Sequence, residues 1–171
     1  MKELKNLLKE CRDVADELRR LDLIERDARR GLEEATDEDL GSTSTQRKVA
    51  DARLSLDLVA SRRRKLKDPW QKVQRDLATQ FKAEVAAWND RVAASKTAKE
   101  DEIVRANLPF YGDERTFRKQ LNFDSVPVMF AYRKAFTDVP QYEKPSDADL
   151  VRDVVLLISH VERWSKTLGL S

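Results

Sequence analysis

The residues able to do chemistry are few and scattered. His160 is the only histidine and Cys11 the only cysteine. A structural zinc site needs several such ligands at short spacing, so none is expected. As a general base His160 would need an orienting partner. Glu162 stands two residues on and faces elsewhere on a helix. Cys11 falls on an apolar helical stripe and reads as a small buried hydrophobe. The four glycines (Gly31, Gly41, Gly112, Gly169) stand singly, so no phosphate-cradling loop can be assembled from them. These absences point to a non-enzyme without cofactor or metal.

Three charged or aromatic groupings offer binding chemistry instead. Arg62, Arg63, Arg64, Lys65 and Lys67, with Lys72 and Arg75 beyond, form the strongest local charge excess. Guanidinium forks match phosphate oxygens, so nucleic-acid contact is one reading. Helical spacing spreads these residues around the axis, and ion pairing to a neighbouring helix is the plainer reading. Glu33, Glu34, Asp37, Glu38 and Asp39 form an acidic stretch. Carboxylates are mildly unfavourable near a helix C-terminus, so docking of a basic partner is the sharper reading and a solvated turn the plainer one. Between 110 and 136 aromatic residues such as Phe110, Phe123 and Phe130 interleave with Arg115, Arg118 and Arg133. Single-strand stacking platforms have this composition. So does an ordinary small helical core with a charged exterior.

The elements that carry these residues read as helices. Leu4, Cys11, Leu18, Glu25 and Leu32 recur with Leu7, Val14, Leu21, Ala28 and Ala35, so nine of ten seam positions are apolar. Steps of three and four sustained over five heptads are the signature of a coiled coil. A turn-rich segment from Thr36 to Ser42 follows, and Thr43 with Gln46 makes a capping box for a second helix. Its seam reads Val49, Ala52, Leu56, Val59, Arg63 and Leu66. Asp68-Pro69 reads as a stop and restart, with a bent continuous helix as the competing view.

Two matched seams across a short linker predict an antiparallel hairpin whose partner numbers sum to about 80. That register sets Leu21 near Val59, Arg63 near Glu17 and Arg64 near Asp16. Phe81, Val85, Trp88 and Val92 extend the stripe beyond the reach of the first helix. Either the C-terminal part or a second copy must cover them. Val155 and Ile158 belong to a last helix whose apolar surface exceeds one face. These six residues are the expected protein interface.

The expected fold is all-α: a long antiparallel coiled-coil helical hairpin with a small C-terminal helical head. Residues 1–106 form the arm, with helices at about 2–36, 44–67 and 69–106, and residues 107–171 form the head, with helices at about 113–121, 126–136 and 147–167. The boundary rests on composition. No Phe, Tyr, Trp or Pro occurs before residue 69, and four of the five prolines lie between 107 and 145.

Charge balances locally as well as overall: residues 1–68 carry 17 basic and 16 acidic side chains, against 33 and 31 for the chain. A bulk nucleic-acid condenser is therefore disfavoured. The longest apolar run, Val154–Ile158, is far short of the ~20 residues of a membrane span. The start mixes charges without an apolar core, so no secretory leader is expected. With one cysteine, a reducing, cytoplasmic setting follows.

The function these features favour is a non-catalytic scaffold or protein–protein interaction module, self-associating or docking on a larger assembly. Its partner would be a protein, including a second copy of itself. The alternative is a nucleic-acid-binding protein that uses the 62–75 cluster and the aromatic-basic head.

Overall fold

A computed structural model describes residues 1–37, 42–142 and 147–170. The described residues are mostly helical, with no strand among them. The elements are α1 (Lys2–Asp37), α2 (Thr43–Tyr111), α3 (Glu114–Gln120), a 3-10 turn (Phe123–Ser125), α4 (Pro127–Thr137) and α5 (Asp147–Leu168). No helix among the described residues is long and apolar enough to cross a membrane. The chain divides into two compact units, one of Lys2–Leu77 and one of Ala78–Ser171 with Met1. The division falls well before residue 107, where composition changes.

In the first unit α1 pairs with the opening half of α2. Leu4, Cys11, Leu21, Ala28 and Ala35 are buried on α1, and Ala52, Val59, Val73 and Leu77 on α2. Leu8 is buried too, one step outside the stripe read from the sequence. Fully burying a Leu or Val contributes about 1.5–3 kcal/mol. A seam of this length therefore outweighs the weak intrinsic stability of either helix alone.

Two local expectations change. The helix cap lies one residue earlier than the Thr43 box: Ser42 Oγ accepts from the Ser44 amide at 3.3 Å, and the Ser42 carbonyl accepts from the Gln46 amide. Thr45 is buried inside the first turn. The second change is at Pro69, which neither stops nor restarts the chain. Residues 43–111 are one helix. Proline removes one amide donor and crowds the carbonyl four residues back. Pro69 is exposed, so water can serve the group left over.

The second unit packs the late part of α2 against α3, α4 and α5. Phe81, Trp88, Val92 and Val104 of α2 are buried with Phe117, Met129, Tyr132 and Ala135. On α5 the steps Leu150, Val154, Leu157 and Val161 form the buried stripe. Asp113 caps α3 by accepting from the Arg115 and Thr116 amides, at 3.3 and 2.9 Å. The ambiguous segment 126–136 is helix α4. Pro127 stands in its first turn, where a missing N–H costs nothing. The Ser146 cap expected for α5 lies outside the described residues.

Candidate interaction surfaces

On the α1/α2 pair, an open groove of about 370 Å³ runs between the helices, lined by Leu21, Ile24, Ser55, Leu58, Arg62 and Lys65 among others. Its flanks are apolar yet wet: Ile24, Leu54 and Leu58 are 47%, 60% and 62% exposed. Leu54 and Leu58 are four apart on one helix face, and Leu58 is level with the groove. Single exposed leucines are common on soluble proteins. Here Ile24, Leu54 and Leu58 are exposed together beside one groove, not scattered singly.

The basic cluster flanks this groove, and its members have different tasks. Arg62 Nε donates to Glu17 Oε1 at 2.6 Å. Arg63 Nη2 reaches Asp22 and Glu25, each at 2.6 Å. The register read from the sequence gave Glu17 to Arg63 and Asp16 to Arg64. Instead Glu17 goes to Arg62, and Asp16 pairs with Arg19 in its own helix. The Arg62 guanidinium holds the Glu17 carboxyl below the usual carboxylate range. Glu25 is lowered chiefly by its hydrogen bond from Arg29, with Arg63 adding to it. Arg64, Lys65 and Lys67 are exposed and make no ion pair among the described residues.

The acidic stretch is only partly in view. Glu33 and Glu34 are exposed at the end of α1, and Glu34 approaches Arg30 at 3.9 Å. The Asp37 side chain, Glu38 and Asp39 lie outside the described residues.

In the second unit the chain itself covers the expected interface. Phe81 is 2% exposed, and Trp88 and Val92 are fully buried. Phe81 meets Tyr142 edge-on, with ring centroids 6.1 Å apart. Trp88 Nε1 donates to the Ala135 carbonyl at 2.9 Å. These three side chains therefore have no surface to offer a partner. Of the two covers the sequence left open, the C-terminal helices supply it. Val85, Val155 and Ile158 are half-buried.

His160 Nε2 lies 3.1 Å from the same Ala135 carbonyl, and its ring meets Trp88 edge-on with centroids 5.8 Å apart. The carbonyl belongs to the last turn of α4, where helical amides run out. The histidine thus sits at a helix end, among packing contacts. Beside it Arg152, Asp153 and Arg163 line an open hollow with Asp138 and Gln141. Asp153, although buried, is held by Arg152 at 3.2 Å. No group of three or more His, Cys, Asp or Glu among the described residues is placed to hold a metal ion.

The aromatic-basic region divides between core and surface. Phe117 and Tyr132 are buried, the latter with its hydroxyl 2.9 Å from Ser95 Oγ. Phe110, Phe130 and Phe136 are exposed, and Lys134 Nζ stands 5.9 Å from the Phe130 ring centre. Arg118 is tied to Asp101 and Glu114. Cys11 is buried at 1% exposure, as a seam residue should be.

No family model, curated protein or solved structure matches this chain.

Proposed function

We propose that this chain is a non-catalytic helical interaction module. In this reading α1 and residues 43–77 of α2 form an antiparallel coiled-coil hairpin whose exposed aliphatic flank docks another protein. The observation that carries it is the wet band of Ile24, Leu54 and Leu58 beside the inter-helix groove. Chain length supports antiparallel pairing. Glu17 and Arg62 meet at similar distances along the chain from the connection at 38–42, which the short link permits only if α2 runs back along α1.

The structure also weighs on nucleic-acid binding by the 62–75 cluster. Arg62 and Arg63 already hold carboxylates, and a phosphate would have to displace them. Exposed Phe110 and Phe130 keep that second reading in play, and a salt-dependent gel shift tests it.

The experiment for the main reading compares the chain with its Leu54→Asp, Leu58→Asp double variant after chemical cross-linking in a native extract. Both substitutions are at exposed positions, so helicity should persist. Cross-links from the groove face to protein should vanish in the variant. Cross-links that persist unchanged, or a groove face that never cross-links to protein, would refute the reading.

A further inference from the structure

The partner of this groove face can be derived from the charges on its two edges. Helical steps of three, four and seven carry the groove edge along each helix. On α1, Ile24 leads through Arg20 to Glu17, Asp13 and Glu10, and in the other direction to Asp27 and Glu34. On α2, Leu58 leads through Arg62 and Lys65 to Lys72, and in the other direction to Asp51 and Lys48. The α1 edge is thus mainly acidic, with Arg20 and Lys9 as exceptions, and the α2 edge mainly basic, with Asp51 and Asp76 as exceptions. Asp13, Glu10, Lys65 and Lys72 are all exposed, and none makes an ion pair among the described residues.

We infer that the occupant of the groove is a second copy of this chain, related by a two-fold axis that runs along the hairpin. This rests on reading the groove as a protein-docking face and names its partner. Such an axis lays α1 of one copy over α2 of the other. The acidic edge of each copy then meets the basic edge of its partner, twice. Every neighbouring pair of helices runs antiparallel, as in an up-down four-helix bundle. Glu17 and Arg62 fix the axial level. Equal steps away from them place Asp13 within one turn of Lys65, and Glu10 within one turn of Lys72.

The competing two-fold, perpendicular to the helices, lays α1 on α1. It would stack Glu34 near the acidic Glu10–Asp13 end of the other copy, which like-charge repulsion opposes. Size also fits: a 36-residue helix is about 54 Å long, and a strip about 15 Å wide along it gives about 800 Å² per copy, the standard interface. An isologous contact closes on itself, so the aliphatic band is consumed with no edge left to propagate.

Sedimentation equilibrium with paired charge reversals tests this. The native chain should run at twice its 19.8 kDa mass at tens of micromolar. Asp13→Lys alone and Lys65→Glu alone should each weaken association about tenfold or more, because each places like charges across both symmetric contacts. Mixing the two variants should restore it, since only the mixed dimer pairs Lys with Glu and Asp with Lys at its two contacts. Circular dichroism of each variant confirms that the helices persist. A native chain that stays monomeric overturns the inference. So does a mixture that associates no better than its components. If in either case the Leu54 and Leu58 substitutions still abolish cross-links to a different protein, the docking reading survives and only the identity of the partner fails.

Discussion

Arg63 Nη2 stands 2.6 Å from Glu25 Oε2, and these residues are the polar exceptions in their two apolar seams. Glu25 is 20% exposed and Arg63 38%, so the pair is partly withdrawn from water. Side chains on a helix lean toward its own N-terminus. In the proposed antiparallel hairpin Arg63 therefore leans toward the connection and Glu25 away from it, and they close a gap that a level-by-level pairing would leave open. A polar pair at one seam level disfavours slipped registers, because a slip sets each charge against an aliphatic neighbour.

Replacing Arg63 with Leu should lower the melting temperature of the chain at pH 7, and Glu25→Leu should do the same. The double replacement should recover part of that loss, since the seam is then apolar on both helices, while Asp22 and Arg29 at its margin lose their partners. Thermal melts of the three variants check this. Additive losses in the double variant would show that the two side chains act independently.

The same ion pairs set an acid limit. Glu17 and Glu25 titrate below the ordinary 4.5 in the folded chain. Their contribution is therefore present above that ordinary value and disappears as the pH falls through the lowered one. Arg62→Gln should cost more stability at pH 7 than at pH 3, with the difference shrinking in high salt. Equal cost at both pH values would contradict this, and denaturant melts across that range would show it.

Periodicity made the first unit readable before any coordinates. Leu4, Cys11, Leu21, Ala28 and Ala35 repeat with the seam period, and all are buried. The ionic partners were not readable, because the choice of Glu17 by Arg62 rather than Arg63 depends on side-chain lean that residue spacing does not encode. Pro69 was ambiguous for a related reason. Local propensity argues for a break, and seam packing on either side, at Val59 and Val73, holds the helix through it. In the second unit the Trp88 contact was invisible in sequence, since it joins a side chain to a backbone carbonyl 47 residues away. The aliphatic groove flank was also missed. Leu54 and Leu58 lie outside the seam, and only burial shows them left over.

Two backbone positions should be improvable. Pro69→Ala restores an amide inside a continuous helix and should stabilise the chain by about 1–3 kcal/mol. Gly31→Ala adds a methyl group that meets nothing within 4 Å and should add about 0.5–1 kcal/mol. Urea titrations followed by circular dichroism measure both. A destabilising Pro69→Ala would mean that the proline ring is needed where it stands.

Trp88 and His160 share one acceptor, so their effects should be coupled. Trp88→Phe removes the donor to the Ala135 carbonyl and should cost about 1–3 kcal/mol. His160→Ala should cost less by itself and more once Trp88 is gone, because the carbonyl then has neither group beside it. A double-mutant cycle reads this coupling directly. Strict additivity would show that the two contacts are independent.

The most direct test of the docked groove face is the labelling rate of a Leu58→Cys thiol as protein concentration rises. Native Cys11 is buried at 1% exposure and should react slowly, leaving position 58 as the reporter. Labelling should slow about tenfold or more between about 1 µM and about 100 µM, as mass action buries the face. A rate that is the same at both concentrations would mean that residue 58 stays in water, and that a second copy does not cover it.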